Sequence, residues 1–166
     1  VNGAVHLFVT GGTFDKDYDE IRGTLDFRDT HIPDMLAMAR SRVDVRVRTL
    51  MMVDSLEMTE ADRAVITQNC RDVPEPYIVI THGTDTMVET ARVLAERVSG
   101  KTIVLTGAMI PIAFGSSDGL FNLGGALTAV QVLPPGVYVI MNGCVFPWDN
   151  VKKNRETGVF EAIERS

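Results

Sequence analysis

Two threonine-rich strings in this chain carry residue types suited to acyl-transfer chemistry: Thr10-Gly11-Gly12-Thr13 and Thr81-His82-Gly83-Thr84-Asp85-Thr86. A threonine hydroxyl is a weak nucleophile that becomes effective when a neighbouring base takes its proton. A lysine serves as that base where burial or nearby charge lowers its pKa. Two candidates stand in Asp149-Asn150-Val151-Lys152-Lys153-Asn154. The glycines let the backbone turn tightly and approach a ligand closely. Backbone N–H groups at a helix start after Thr84 would hold an anion such as a carboxylate.

Taken singly, each string also has a plainer use. The first is a strand-to-loop turn. Thr84 or Asp85 is a helix cap, and His82 is a hydrogen-bonded structural histidine. Gly115-Ser116-Ser117-Asp118-Gly119 reads as a flexible loop with an N-cap for the next helix. The chain has no Gly-x-Gly-x-x-Gly string, which argues against a dinucleotide site.

The elements that must position these residues follow from periodicity. Apolar, β-branched runs at residues 5–10, 45–52, 77–81, 102–106 and 137–141 read as strands, several of them buried on both faces. Helical runs separate them, the pattern of an α/β domain with a mostly parallel sheet. Met87, Val88, Ala91, Leu94, Ala95 and Val98 line one helix face, with Gly100 as the stop. Thr59 with Asp62 reads as a capped helix start. Residues 120–133 are apolar almost all round, which predicts deep burial or, with slight preference, a subunit interface. Strand after strand ends in a hydroxyl or small polar cluster. In an open parallel sheet those ends share one edge, so residues distant in sequence meet in one cleft.

Bulk properties bound the answer. The 166 residues suit one domain, and 16 basic against 22 acidic residues leave a net charge of −6. That sign disfavours nucleic acid as a partner. No run approaches the roughly 20 apolar residues that span a bilayer, and the start has no secretory leader pattern. Cys70 and Cys144 stand alone, without metal-ligand spacing, and are expected as buried free thiols.

Taken together, five strings resemble the L-asparaginase family in order and spacing. They are Val9-Thr10-Gly11-Gly12-Thr13-Phe14, Val53-Asp54-Ser55-Leu56-Glu57-Met58, Thr81-His82-Gly83-Thr84-Asp85-Thr86, Thr106-Gly107-Ala108-Met109-Ile110-Pro111 and Ser117-Asp118-Gly119-Leu120-Phe121-Asn122-Leu123. The resemblance implies a flavodoxin-like α/β domain with helices on both faces. It implies hydrolysis of the side-chain amide of asparagine, with glutamine as a further candidate, and neither metal nor cofactor. Thr13 would be the first nucleophile and Thr84 the second hydroxyl, activated by Asp85 and a lysine. Ser55 would hold the substrate's α-carboxylate, Asp85 its α-ammonium, and the Ala108 carbonyl its amide. Gly12, Asp54 and Gly83 complete the expected binding set.

The match departs from the family in places. Tyr18 is the nearest candidate for the family's loop tyrosine, with Lys16 as the rival. Leu56 stands where the family has glutamine. The family's spacing from the preceding Asp149 and to the following Asn154 implies Lys152 as the catalytic lysine, with Lys153 as the rival. Family members carry a second domain, and a neighbouring subunit's copy lends an acidic residue to the site. Residues 1–166 are expected as a single amino-terminal-like domain without that second one, with Glu156 or Glu161 of a partner as candidate replacements. A cytoplasmic homodimer or homotetramer is the matching expectation. The competing readings are a non-catalytic asparagine- or aspartate-binding module and a deamidating subunit of an amidotransferase.

Overall fold

The β-branched runs assemble into one six-stranded sheet in the computed structural model, which describes residues 3–163. In chain order the strands are β1 (Val5–Gly11), β2 (Lys16–Asp19), β3 (Thr24–Phe27), β4 (Val45–Val53), β5 (Tyr77–Thr81), β6 (Thr102–Thr106), β7 (Gly136–Met141), β8 (Cys144–Pro147), β9 (Lys152–Lys153) and β10 (Phe160–Glu161). The α-helices are α1 (Ile32–Met38), α2 (Glu60–Asp72), α3 (Met87–Arg97) and α4 (Gly119–Ala129). The sheet order is β4-β1-β5-β6-β7-β8. Its first five strands run parallel, and β8 closes one edge antiparallel to β7. Counting only the parallel strands, the order is second, first, third, fourth, fifth, the flavodoxin-like winding that the family resemblance implies.

Side-chain alternation along each strand sorts the core into two layers. Phe8, Ile80 and Leu105 face α2 and α3, where they meet Ile66, Cys70 and Leu94. Val9, Val79 and Val104 face α1 and α4, where they meet Met35, Leu123 and Ala126. The residues of β6 are buried without exception, as a central parallel strand covered on both faces must be. Each such aliphatic side chain contributes about 1.5–3 kcal/mol by leaving water.

Helix ends follow local chemistry. Asp62 N–H donates to Thr59 Oγ1 at 3.2 Å, and Thr59 N–H donates to Asp62 Oδ2 at 2.8 Å, the reciprocal box expected before α2. Helix α4 is shorter than its apolar run. Past Ala129 the chain tightens, with Val132 N–H on Ala129 O at 3.1 Å, and Pro134 follows. One face of α4 is buried while Phe121 on the other is 65% exposed, so the helix is not buried all round. Among the described residues no helix is long and apolar enough to cross a membrane.

The winding places a crevice. From β1 the chain leaves toward α1 on one face, and from β5 it leaves toward α3 on the other. These two strands are neighbours, so their carboxyl ends diverge and leave an opening between them. The Thr13 and Thr84 strings follow β1 and β5 directly.

Candidate active site

Three loops meet at that opening with almost no space between their backbones. Gly12 has φ +84°, and a Cβ built on it would lie 2.4 Å from Gly83 N and 2.5 Å from Gly83 Cα. A Cβ on Gly83 would lie 2.5 Å from Ser55 Oγ. The Thr13, Ser55 and Thr84 turns are therefore packed against one another, although Gly12 and Gly83 are far apart in the chain. Gly12→Ala is expected to destabilise the fold by about 2–3 kcal/mol, because both its positive φ and the Gly83 backbone resist a side chain. Urea unfolding of the variant measures this.

Thr84 is buried beside the end of β6, with its methyl group facing Gly107. Lys153 Nζ donates to Thr84 Oγ1 at 2.8 Å and to Asp85 Oδ1 at 2.8 Å. One amine thus joins a hydroxyl and a carboxylate. The family resemblance pointed to Lys152 instead; the structure sets Lys153, and not Lys152, against Thr84 and Asp85. The Lys152 side chain points outward, half exposed, and pairs with Glu161 at 3.4 Å, while that of Lys153 is only 12% exposed. In β9 the register sets Phe160 opposite Lys153 and Glu161 opposite Lys152, and adjacent residues of a strand face opposite ways. The same pair ties Glu161, one of the two proposed substitute carboxylates, to Lys152; Glu156 is exposed.

Thr84 and Asp85 do not cap α3. The helix starts at Met87, and Thr86 occupies the cap position without a side-chain cap bond. Thr86 is used differently: its N–H donates to Ser55 Oγ at 3.3 Å and its hydroxyl to Ser55 O at 2.8 Å. Ser55 is buried and held against Gly83. Asp54, beside it, accepts from Leu56 N–H at 3.0 Å and from Lys16 Nζ at 2.8 Å. The Lys16 hydrogen bond holds the Asp54 carboxyl below the usual range, against a smaller opposing effect of burial. Lys16 therefore reaches across from the β2–β3 hairpin to the Ser55 turn. Tyr18, the expected loop residue, does not. It pairs with Leu25 in the hairpin, is 52% exposed, and its hydroxyl lies over Gly23 at the hairpin turn. Ala108 is buried just past β6.

The loop carrying Thr13 is anchored from below. Asp15 is wholly buried and accepts from Thr30 Oγ1 at 3.0 Å and His31 N–H at 2.8 Å. Burial pushes its pKa up, and these donors oppose that shift. Asp118, in the string expected to cap the next helix, holds the N-cap position of α4, but its carboxylate accepts from Met109 N–H at 3.0 Å and Ile110 N–H at 3.1 Å. It holds the chain leaving Ala108 and makes no cap bond. Cys70 is buried and its thiol is pushed up to about 12 by desolvation, whereas Cys144 is exposed, contrary to expectation. Cys144 lies on the edge strand β8, most of whose residues are exposed.

His82 is fully buried behind the site, with Nδ1 2.7 Å from Gly83 O and Nε2 2.7 Å from Thr90 Oγ1. Burial drops its pKa to about 4. An unfolded chain takes up this proton below about pH 6.5, while the folded chain resists until about pH 4. Stability is therefore expected to fall by about 3 kcal/mol as pH drops through that window, with no further contribution below it. Urea midpoints measured across the window for the wild type and His82→Gln check this: the variant should show the shallower pH slope.

The family model described as "Asparaginase, N-terminal" matches residues 4–165. The chain belongs to the asparaginase family. An L-asparaginase of Thermococcus kodakarensis is 33% identical over 125 residues, covering 72% of this chain and 38% of that protein. A human 60 kDa lysophospholipase is 39% identical over 113 residues, covering 65% of this chain and 19% of that protein. The solved thermostable L-asparaginase from Thermococcus kodakarensis superposes with a TM-score of 0.86 at 28% identity, covering 99% of this chain and 52% of the other. The chain thus spans about half or less of the length of these asparaginase relatives.

Proposed function

We propose that this chain hydrolyses the side-chain amide of L-asparagine to L-aspartate and ammonia through a threonine acyl-enzyme. The observation that carries the reading is the Thr84–Lys153–Asp85 group, bonded through one amine and packed beside the Thr13 and Ser55 turns. Family membership and the solved asparaginase relative support it.

In this reading the substrate's α-carboxylate sits at the Ser55 turn, with Asp85 meeting its α-ammonium. The Ala108 carbonyl and Gly12 backbone orient the amide. The Thr13 oxygen adds to the amide carbon, its proton passes to the amide nitrogen, and ammonia leaves an ester on Thr13. Lys153 then accepts a proton through Thr84 as water adds to the ester, and Asp85 steadies the resulting ammonium. The tetrahedral intermediate collapses to aspartate as the Lys153 ammonium returns its proton to the leaving Thr13 oxygen, which restores the Thr13 hydroxyl and the neutral amine. N–H groups near Gly12 or in the Gly83–Thr84 turn steady the oxyanion at both steps. A homo-oligomer in the cytoplasm belongs to the same reading. The exposed Phe121 and Val132 surface at α4 supports the oligomer.

The test is a coupled ammonia assay of the purified chain with L-asparagine and L-glutamine. Ammonia release with asparagine supports the reading. Binding of aspartate with no release from either amide sinks it in favour of a non-catalytic binding module.

A further inference from the structure

The buried His82, which the proposed steps do not use, stands in a chain of hydrogen bonds that ends on the Thr84 turn. Arg63 of α2 donates through Nε to Thr90 Oγ1 at 3.0 Å and through a terminal nitrogen to Thr86 Oγ1 at 2.9 Å. Thr90 Oγ1 lies 2.7 Å from His82 Nε2, and His82 Nδ1 lies 2.7 Å from Gly83 O. These partners assign the tautomer. Gly83 O can only accept, so Nδ1 carries the hydrogen and Nε2 is bare. Nε2 must then accept from Thr90, whose oxygen already receives the Arg63 hydrogen. The Arg63 charge and full burial both oppose an imidazolium here. Each guanidinium nitrogen of Arg63 and both ring nitrogens of His82 are used, and each link from Arg63 through Thr90 and His82 to Gly83 points the same way.

We propose that Arg63, Thr90 and His82 form a positioning relay that sets the Gly83–Thr84 peptide, and through it the Thr84 hydroxyl, against Lys153. This rests on the amidohydrolase reading for its consequence on turnover, but the geometry stands apart from it. Arg63 also holds Thr86, whose hydroxyl donates to Ser55 O, so the same guanidinium spaces the Ser55 and Thr84 turns. No helix cap orients the turn, since α3 begins only at Met87 and has no side-chain cap bond; the relay holds it from behind while Lys153 and the Ser55 turn hold it from the cleft side. A guanidinium fork serves three acceptors at once from three separate nitrogens, the third being Met58 O, whereas the donors of an ammonium all sit on one atom.

The experiment compares Thr90→Val, Thr90→Ser and Arg63→Met with the wild type as full chains, with rates corrected for the folded fraction. Thr90→Val and Arg63→Met are expected to lose about 10-fold or more in kcat, with KM changed far less, because a misplaced reacting hydroxyl slows the chemical step. Thr90→Ser keeps the hydroxyl and should stay within about twofold of the wild type. Nitrogen-15 NMR of the His82 ring should show a protonated Nδ1 and a bare Nε2 at neutral pH. A His82 ring protonated on Nε2, or on both nitrogens, overturns the relay. So does a folded Thr90→Val that turns over asparagine like the wild type. A wild type with no turnover would refute the amidohydrolase reading alone, because the ring measurement still judges the relay.

Discussion

Replacing Thr84 by valine is expected to lower steady-state ammonia release from asparagine by on the order of 10³-fold or more. The substitution keeps the volume of a buried side chain and removes only the oxygen that Lys153 contacts. The methyl groups still pack beside Gly107, so the fold should tolerate it. The proposed steps predict more than a slow enzyme. With Thr13 intact the first chemical step still proceeds, one ammonia is released per chain, and an ester remains on Thr13. Thr13→Ala should show neither the burst nor the ester. Intact mass measurement after mixing with asparagine distinguishes the two variants. An adduct on Thr13→Ala, or none on a folded Thr84→Val, would reverse the assigned roles.

The two adjacent lysines offer the second large contrast. Lys153→Met should cost about 10²- to 10⁴-fold in kcat/KM, the range for loss of a positioned general base. It removes the amine that bonds Thr84 and Asp85, and with it the group that takes up the proton in the second step. Lys152→Met should change kcat/KM by no more than about twofold, because its pair with Glu161 is half exposed and such pairs contribute little. Parallel ammonia assays of the two variants check this. Equal losses, or a larger loss at Lys152, would contradict the geometry described for β9.

Lys152 and Lys153 also show where reading a sequence stops. Their types and approximate position pointed to a base, but a one-residue shift in register exchanges which of two neighbouring side chains faces inward. The register comes from pairing with Phe160 and Glu161, and the relevant contact joins residues 69 positions apart in the chain. Lys16 and Tyr18 pose the same problem on β2. Both lie in a short exposed hairpin, and only its docking on the Ser55 turn brings Lys16 to Asp54. The string around Asp118 carried an ordinary cap signal, yet the Asp118 carboxylate is taken by Met109 and Ile110, eight to nine residues earlier. His82 gave no signal beyond a histidine near a turn. Its meaning lies in Thr90, one face of α3, and in Arg63 on another helix.

What the amino-acid order determined unaided was local or periodic. Continuous apolar, β-branched runs marked the five parallel strands, and the Thr59–Asp62 pattern marked the start of α2. Glycine and threonine strings at strand ends marked the edge where a site would form. Such signals arise from steric and solvation preferences acting within a few residues, so they survive without the rest of the chain. The tertiary structure alone decided which amine meets Thr84, which cation meets Asp54, and that Cys144 stays exposed. Those outcomes depend on the pairing register and docking of short loops, where residues far apart in sequence compete for the same few hydrogen bonds.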